Sequence, residues 1–369
     1  MRKKILYLFS DTGGGHRSAA SALISAVQKV SPKEISQDMV DVFAECSGFL
    51  NIFARLYAPV IRYSPQFWGR LYYWLDDWKK LETLQKISSP FILEELKKLI
   101  SLKSPDVIVS VHPMVNHLAF EACRQLGKQI PIITVVMDPV TFHKSWICPD
   151  ISLLIVATEQ AKIMAEKYGM DRARIKVLGI PIDPRFLEKN SKEKLRQEMG
   201  LDKKTFTILL MGGGEGSGGI FEIVAALEKE ELKAQLIVVC GRNSSLKKRL
   251  ENARLKMKAR IFGFTNDVPA IMDASDIIVT KAGPGSIAEA ISKDLPMIIT
   301  SWLPGQEEGN VEFVSLENIG KIEKDPKKVA LLVKKMLESP EEQEMRARIK
   351  KIAKPHAALD IAKVILSYL

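Results

Sequence analysis

The chain has 369 residues, 46% of them apolar, which is ample for a large core and favours two domains over one. Its formal charge of +10 is shared evenly between the two halves, with no zinc-finger spacing and no aromatic RNA-binding signature. No nucleic-acid partner is therefore expected, and phosphate-bearing ligands or anionic lipid account for the charge. Cys46, Cys123, Cys148 and Cys240 lie far apart without a C-x-x-C pair, which argues against a disulfide framework and a structural zinc site, and no apolar run reaches membrane-spanning length.

Short apolar runs alternate with helical patterns from the start: KKILYLFS, ISQDMVDVF, PDVIVSVH, PIITVVMD, LLIVAT and RIKVLGI. That is the rhythm of a parallel sheet. It restarts after a stretch rich in proline and charge near residues 181 to 195, with FTILLMGG, AQLIVVCG, ARIFGF, DIIVTKAG and PMIITS as further buried strands. Two doubly wound α/β domains are predicted, and ligands of such folds bind in the loops that follow the strands. One segment breaks the rhythm. Between Phe49 and Trp78 stand ten of the 26 aromatic residues, among them Phe67, Trp68, Tyr72 and Trp74, interleaved with arginine and lysine. Rings beside cations suit a membrane interface, and equally a helical pair packing its aromatics on the sheet.

Three glycine-rich loops fall after strands. The first, SDTGGGHR, runs from a strand into a helix, whose start offers free backbone N–H groups. With Ser18 in place of a third glycine it is a poor dinucleotide fingerprint, and without Gly-Lys-Ser/Thr it is no P-loop. Asp11 and His16 flank Gly13, Gly14 and Gly15; a histidine there suits general-base work, or simply packing at the turn. The second loop, MGGGEGSGGI, contains Gly213, Gly214, Glu215 and Gly216 and does satisfy G-x-G-x-x-G. The next strand, however, ends VVCGRN without the acid a dinucleotide ribose needs, although Arg242 suits a 2′-phosphate. In the third, TKAGPGSIAEA, Gly283, Pro284, Gly285 and Ser286 form a turn into a helix that can seat a pyrophosphate, with Glu289 one turn further in as a ribose-diol acceptor. Gln306, Glu307 and Asn310 in SWLPGQEEGN then supply groups that grip hydroxyls. A phosphate seat, a diol acceptor and hydroxyl acceptors on successive loops describe a nucleotide-sugar.

At these residues the chain resembles the monogalactosyldiacylglycerol synthases and the related bacterial diacylglycerol glucosyltransferases, and more distantly the N-acetylglucosaminyltransferase that makes lipid II. The likeness runs through SDTGGGHRSA, SVHPMVNH, TVVMDPVTFHKSW, LGIPIDPRF, MGGGEG, VVCGRN, TKAGPGSIAEA and LPGQEEGN. It implies the α/β GT-B fold: two Rossmann-like domains facing across a cleft, residues 1–185 for the acceptor and membrane and 186–355 for the nucleotide-sugar, with a final helix in 356–369 crossing back. It also implies an inverting transfer with UDP-sugar as substrate and no cofactor or catalytic metal, in keeping with the lack of a D-x-D motif. The acceptor is diacylglycerol on an anionic membrane surface, and the expected location is cytoplasmic, peripheral on the inner face of the cell membrane.

Carried over by matching position, Glu289 binds the uridine ribose, and Gly283 to Ser286 with Gly213 to Gly216 hold the pyrophosphate. Gln306 and Glu307 hold the hexose, Asn310 supports their loop, and Phe264 marks the uracil edge. His16 takes the acceptor's proton or positions its hydroxyl, and His112 and His143 lie on the acceptor side. Phe67, Trp68, Tyr72 and Trp74 become the membrane-facing set. One position departs from the pattern: Asp183 stands where these relatives commonly carry an arginine, and Arg185 or Lys281 must then meet the donor's negative charge. The runner-up activities are transfer of N-acetylglucosamine to a polyprenyl acceptor and a non-catalytic nucleotide-binding module.

Overall fold

The computed structural model describes residues 2–11, 14–31, 33–46, 57, 59–61 and 63–369. The chain divides into two units, one made of residues 1–184, 303–310 and 356–369 and the other of 185–302 and 311–355.

In the first unit, strands β1 (Lys4–Phe9), β2 (Ser36–Asp41), β3 (Val107–Ser110), β4 (Ile132–Val135), β5 (Leu153–Val156) and β6 (Ile175–Val177) form a wholly parallel sheet in the order β2-β1-β3-β4-β5-β6. The central strands β3, β4 and β5 are buried along their whole length, which is why their sequences are continuous apolar runs rather than alternating ones. Helix Gly15–Val30 turns Ala19, Ala20, Leu23, Ala26 and Val27 inward, the spacing of one helical face. The same core takes in Ala358, Ile361, Ala362 and Ile365 of the last helix, Ala357–Leu366.

The second unit repeats the architecture. Strands β7 (Phe206–Met211), β8 (Ala234–Val239), β9 (Ala259–Phe262), β10 (Ile277–Lys281), β11 (Met297–Ser301) and β12 (Gly320–Ile322) pair in parallel in the order β12-β11-β10-β7-β8-β9. Each sheet is therefore a doubly wound, Rossmann-like sheet in which order reverses beside the first strand, and the loops at the strands' carboxyl ends gather the sequence motifs. Strand β12 has no counterpart among the predicted runs: of Gly320-Lys321-Ile322 only the isoleucine is a large apolar residue and charged residues follow, whereas the equally short edge strand β6 continues as the apolar run RIKVLGI.

The aromatic segment enters the described structure as helices Pro65–Leu75 and Trp78–Ser88; Phe49 and Phe53 lie outside the described residues. Among the described residues no helix is long and apolar enough to cross a membrane.

Candidate active site

The first glycine turn is built to be open. Gly14 sits at φ +85°, a left-handed conformation that favours glycine, and a Cβ added at Gly14 or Gly15 would meet nothing within 4 Å. Gly13 lies outside the described residues. The helix that follows has neither a side-chain cap nor an acidic residue in its first turn, so its leading N–H groups and positive dipole end remain available to an anion or a polarised oxygen.

His16 is the second residue of that helix. Its Nδ1 lies 2.6 Å from the carbonyl oxygen of Val111, at the end of β3. A carbonyl only accepts, so Nδ1 carries the hydrogen and Nε2 carries the lone pair. Burial pushes the imidazole down to about 4, opposed by the Val111 hydrogen bond and by the charge of Asp11. Asp11 acts on His16 through its field; its own carboxylate pairs with Arg17 at 2.9 Å.

His112 packs edge-on against His16, the ring centroids 4.6 Å apart. It is buried, its Nδ1 accepts the Met114 N–H, and burial followed by the neighbouring His16 holds it well below the usual histidine range. His143 caps the short turn Lys144–Trp146, its Nδ1 accepting the Ser145 N–H at 3.2 Å. That turn sets Trp146, whose ring centroid lies 6.0 Å from that of His16. The Trp146 carbonyl accepts the side-chain amide of Asn116 at 3.0 Å, and its indole N–H donates to Asp138 at 3.3 Å. Burial lifts the Asp138 carboxyl to about 7, with the Trp146 N–H opposing the rise and the Glu307 carboxylate adding to it.

Gln306, Glu307 and Asn310 belong to the first unit. Their loop rests on helix Pro65–Leu75: a Cβ on Gly69 would come within 2.6 Å of the Pro304 Cβ, and one on Gly305 within 2.8 Å of the Tyr72 ring. Glu307 is buried and accepts the Leu303 N–H at 2.9 Å, closing the loop on itself. Asn310 is fully buried. Of the four residues predicted to face a membrane, Trp68 and Tyr72 are half-buried against this loop, whereas Phe67 and Trp74 are 59% and 57% exposed.

In the second unit, Gly213 and Gly216 take φ +70° and +58°, and a Cβ on Gly216 would overlap the Cys240 carbonyl. The loop is thereby pressed against the end of β8, where the Arg242 N–H donates to Gly214 at 2.8 Å and the Arg242 guanidinium pairs with Glu215 at 2.7 Å. Arg242 also lies over the Phe264 ring at 5.0 Å, and Phe264 is 61% exposed. The Lys281 side chain reaches Gly213, so two cations flank this loop. Gly283 is the N-cap of helix Pro284–Ser292, which begins with proline and has no side-chain cap and no acid in its first turn. Pro284, Gly285 and Ser286 are its first turn, Glu289 follows half-buried, and nothing stands within 4 Å of where a Gly285 Cβ would be. Arg185 donates to the Asn266 carbonyl at 3.1 Å, in the loop that carries Phe264.

This arrangement meets a known sequence pattern. Residues 16–182 match the family profile of monogalactosyldiacylglycerol (MGDG) synthase, and residues 207–365 match the glycosyltransferase family 28 C-terminal domain. The chain is 34% identical to a probable MGDG synthase of Glycine max, and 33% identical to MGDG synthase 1 of Arabidopsis thaliana. In both cases the match covers 97% of this chain and 70% of the relative. The chain belongs to the MGDG synthase family of glycosyltransferases. Its fold is that of solved GT-B structures: the MurG of Acinetobacter baumannii superimposes at a TM-score of 0.62 with 15% identity over 99% of both chains. Anabaena HepE, crystallised with UDP and glucose, does so at 0.59 with 14% identity over all of both.

Three residues of this MGDG synthase family member escaped the sequence reading. Asp138 and Trp146 both lie in TVVMDPVTFHKSW, where an acid directly after an apolar strand was the available signal. Tyr57, whose hydroxyl reaches Gln306, carried no signal beyond its place in the aromatic run.

Proposed function

We propose that this enzyme transfers a hexose from a UDP-sugar, UDP-galactose ahead of UDP-glucose, to the 3-hydroxyl of 1,2-diacylglycerol with inversion, giving a β-glycosyldiacylglycerol. The observation that carries the reading is His16: a neutral imidazole with its lone pair on Nε2, fixed by Val111 in an open turn at the end of β1. The curated relatives named for galactolipid synthesis supply the acceptor class, and HepE's UDP and glucose support the donor class.

In the transfer, the acceptor oxygen attacks the anomeric carbon, the bond from that carbon to the diphosphate breaks, the hydroxyl proton passes to His16 Nε2, and UDP departs. The diphosphate's charge is met by the uncapped N–H groups of Gly285 and Ser286, which follow Pro284 at the helix start, and by the loop Gly213–Gly216, with Lys281 and Arg242 beside it, so no catalytic metal or cofactor is assigned. Glu289 accepts from the ribose diol, and Gln306 and Glu307 hold the hexose. Phe264 marks the uracil edge. His112 and His143 keep the acceptor side in shape, one by packing on His16 and the other by capping the Trp146 turn.

The acceptor is dissolved in a bilayer, so the enzyme works at the surface of the membrane, on its cytoplasmic leaflet. Phe67, Arg70 and Trp74 follow one another at helical spacing on helix Pro65–Leu75 and are exposed, as are Tyr63 before it and Trp78 after it, with Lys80 set over the Trp74 ring at 4.5 Å; rings and cations together suit an anionic interface. The test is direct: purified protein, vesicles containing diacylglycerol and anionic lipid, and UDP-galactose, UDP-glucose and UDP-N-acetylglucosamine in turn. Glycosyldiacylglycerol from UDP-galactose at the highest rate is the expected product. Turnover only with a polyprenyl phosphate acceptor, or UDP binding without transfer to any lipid, overturns the reading.

A further inference from the structure

Gln306 is held by one end of its amide. The Tyr57 hydroxyl and the Trp68 indole Nε1 each lie 3.1 Å from Gln306 Oε1. An indole N–H can only donate, so the atom facing it is the amide oxygen, which settles an orientation that an amide's shape alone leaves ambiguous. That oxygen accepts two hydrogen bonds, and the opposite end of the amide is an NH2 group that can only donate. The two rings that set this orientation brace each other edge to face, 4.9 Å between centroids at 86°. Their support is local as well: Gly69, the next residue after Trp68, packs on Pro304, two residues before Gln306.

We propose that Tyr57 and Trp68 are positioning residues of the hexose site, turning Gln306 so that it meets the sugar as a hydrogen-bond donor. The inference rests on the reading above that Gln306 contacts the donor's hexose. Its chemical content is that the sugar oxygen at Gln306 acts as an acceptor, and that replacing the NH2 of this residue by an oxygen would set acceptor against acceptor. A misassigned amide would cost more than a weak bond, because rotating the NH2 toward Trp68 sets donor against donor in a half-buried position.

The experiment uses the full chain with diacylglycerol vesicles, measuring KM and kcat for UDP-galactose, the Kd of UDP alone by calorimetry, and the melting temperature. Tyr57→Phe and Trp68→Phe are each expected to raise the KM for UDP-galactose about 3- to 10-fold, the range for loss of one orienting hydrogen bond, with the Kd of UDP and the melting temperature unchanged. The double variant should reach, and not exceed, the KM of Gln306→Ala, because all three act through one amide. Gln306→Glu keeps an oxygen for both donors but loses the NH2, and should be as impaired as Gln306→Ala. A double variant with the wild-type KM overturns the proposal, as does a rise in the Kd of UDP parallel to KM, or a Gln306→Glu enzyme that works as well as wild type beside a crippled Gln306→Ala. If Gln306→Ala itself leaves KM unchanged, the hexose role of Gln306 falls and takes the inference with it.

Discussion

The Nδ1 of His16 and the carbonyl oxygen of Val111 are 2.6 Å apart, and this one contact decides which nitrogen of His16 can act as a base. Because β3 ends at Ser110, the first residue beyond it presents its carbonyl at the sheet's carboxyl edge, where the β1 turn delivers the imidazole. Two consequences follow for the rate. His16→Ala should lower turnover about 10²- to 10⁴-fold, the usual contribution of a positioned base, while UDP affinity is kept. The imidazole must be unprotonated to act, and its value is lowered to about 4, so the acid limb of kcat/KM should appear near pH 4 rather than near the ordinary histidine value of 6.5. A rate profile measured from pH 8 down to pH 4.5 checks this: a half-maximal rate already at pH 6.5 in the wild type contradicts the lowered imidazole value, and wild-type turnover in His16→Ala removes His16 as the base.

Much of this was legible in sequence, because the features concerned are local. Most of the twelve strands are apolar runs long enough to be read directly, the polar edge strand β2 being located by its place in the alternating pattern, and the glycine turns stand where the chain must reverse direction next to a strand. Asp138 and Trp146 were harder, since each looks like ordinary loop polarity or core aromaticity until the fold brings them within 3.3 Å. The loop Leu303–Asn310 shows the limit best. It follows a strand of the second sheet, and the sequence places it with residues 186–355, yet it groups with the first unit, where Pro304 and Gly305 pack on Gly69 and Tyr72. Contacts separated by more than 200 residues leave no periodic trace, and only the small residues at the close approach hint at them.

Glu289 provides a test confined to the nucleotide. It stands one turn inside helix Pro284–Ser292, beyond a first turn that carries no acid of its own, and the proposed function gives it the ribose diol rather than the phosphates. A hydrogen bond to a charged acceptor contributes about 1.5 to 3 kcal/mol. Glu289→Ala should therefore weaken UDP by roughly 10- to 100-fold in calorimetry, with the melting temperature of the free protein little changed. An unchanged Kd excludes it from the ribose site.

The aromatic helix divides the membrane question into two testable halves. Phe67 and Trp74 project outward, whereas Trp68 and Tyr72 turn toward the loop Leu303–Asn310. Changing Phe67 and Trp74 together to serine should lower association with anionic vesicles about tenfold or more in a flotation assay, because each ring loses the apolar area it would bury at the interface. The melting temperature and the Kd of UDP should stay as they were. Tyr72→Ser should do the reverse, lowering the melting temperature by several degrees through the lost packing on Gly305 while leaving flotation largely intact. Equal flotation of the Phe67/Trp74 variant and the wild type returns that face to some other role.

Asp138 links folding to pH in the opposite direction from His16. Its carboxyl is raised by burial to about 7, above the value near 4 of an unfolded aspartate, so folding takes up a proton between those limits. The stability this supplies is fully present below pH 4 and is lost as pH rises through 7. The Glu307 carboxylate sharpens the effect by repelling the ionised form, and the Trp146 indole N–H restrains it. Asp138→Asn mimics the protonated group: it keeps an oxygen for the Trp146 N–H and cannot ionise. Denaturant titrations of the two proteins should therefore give similar stabilities at pH 4, with the variant increasingly the more stable as pH rises to 8. Transfer activity separates this from a role in the chemistry, because an Asp138 that only holds Trp146 beside His16 leaves the variant's kcat within about a few-fold of wild type at pH 7, whereas loss of a catalytic group costs 10² or more. A wild type that gains stability relative to the variant between pH 5 and pH 8 contradicts the raised carboxyl.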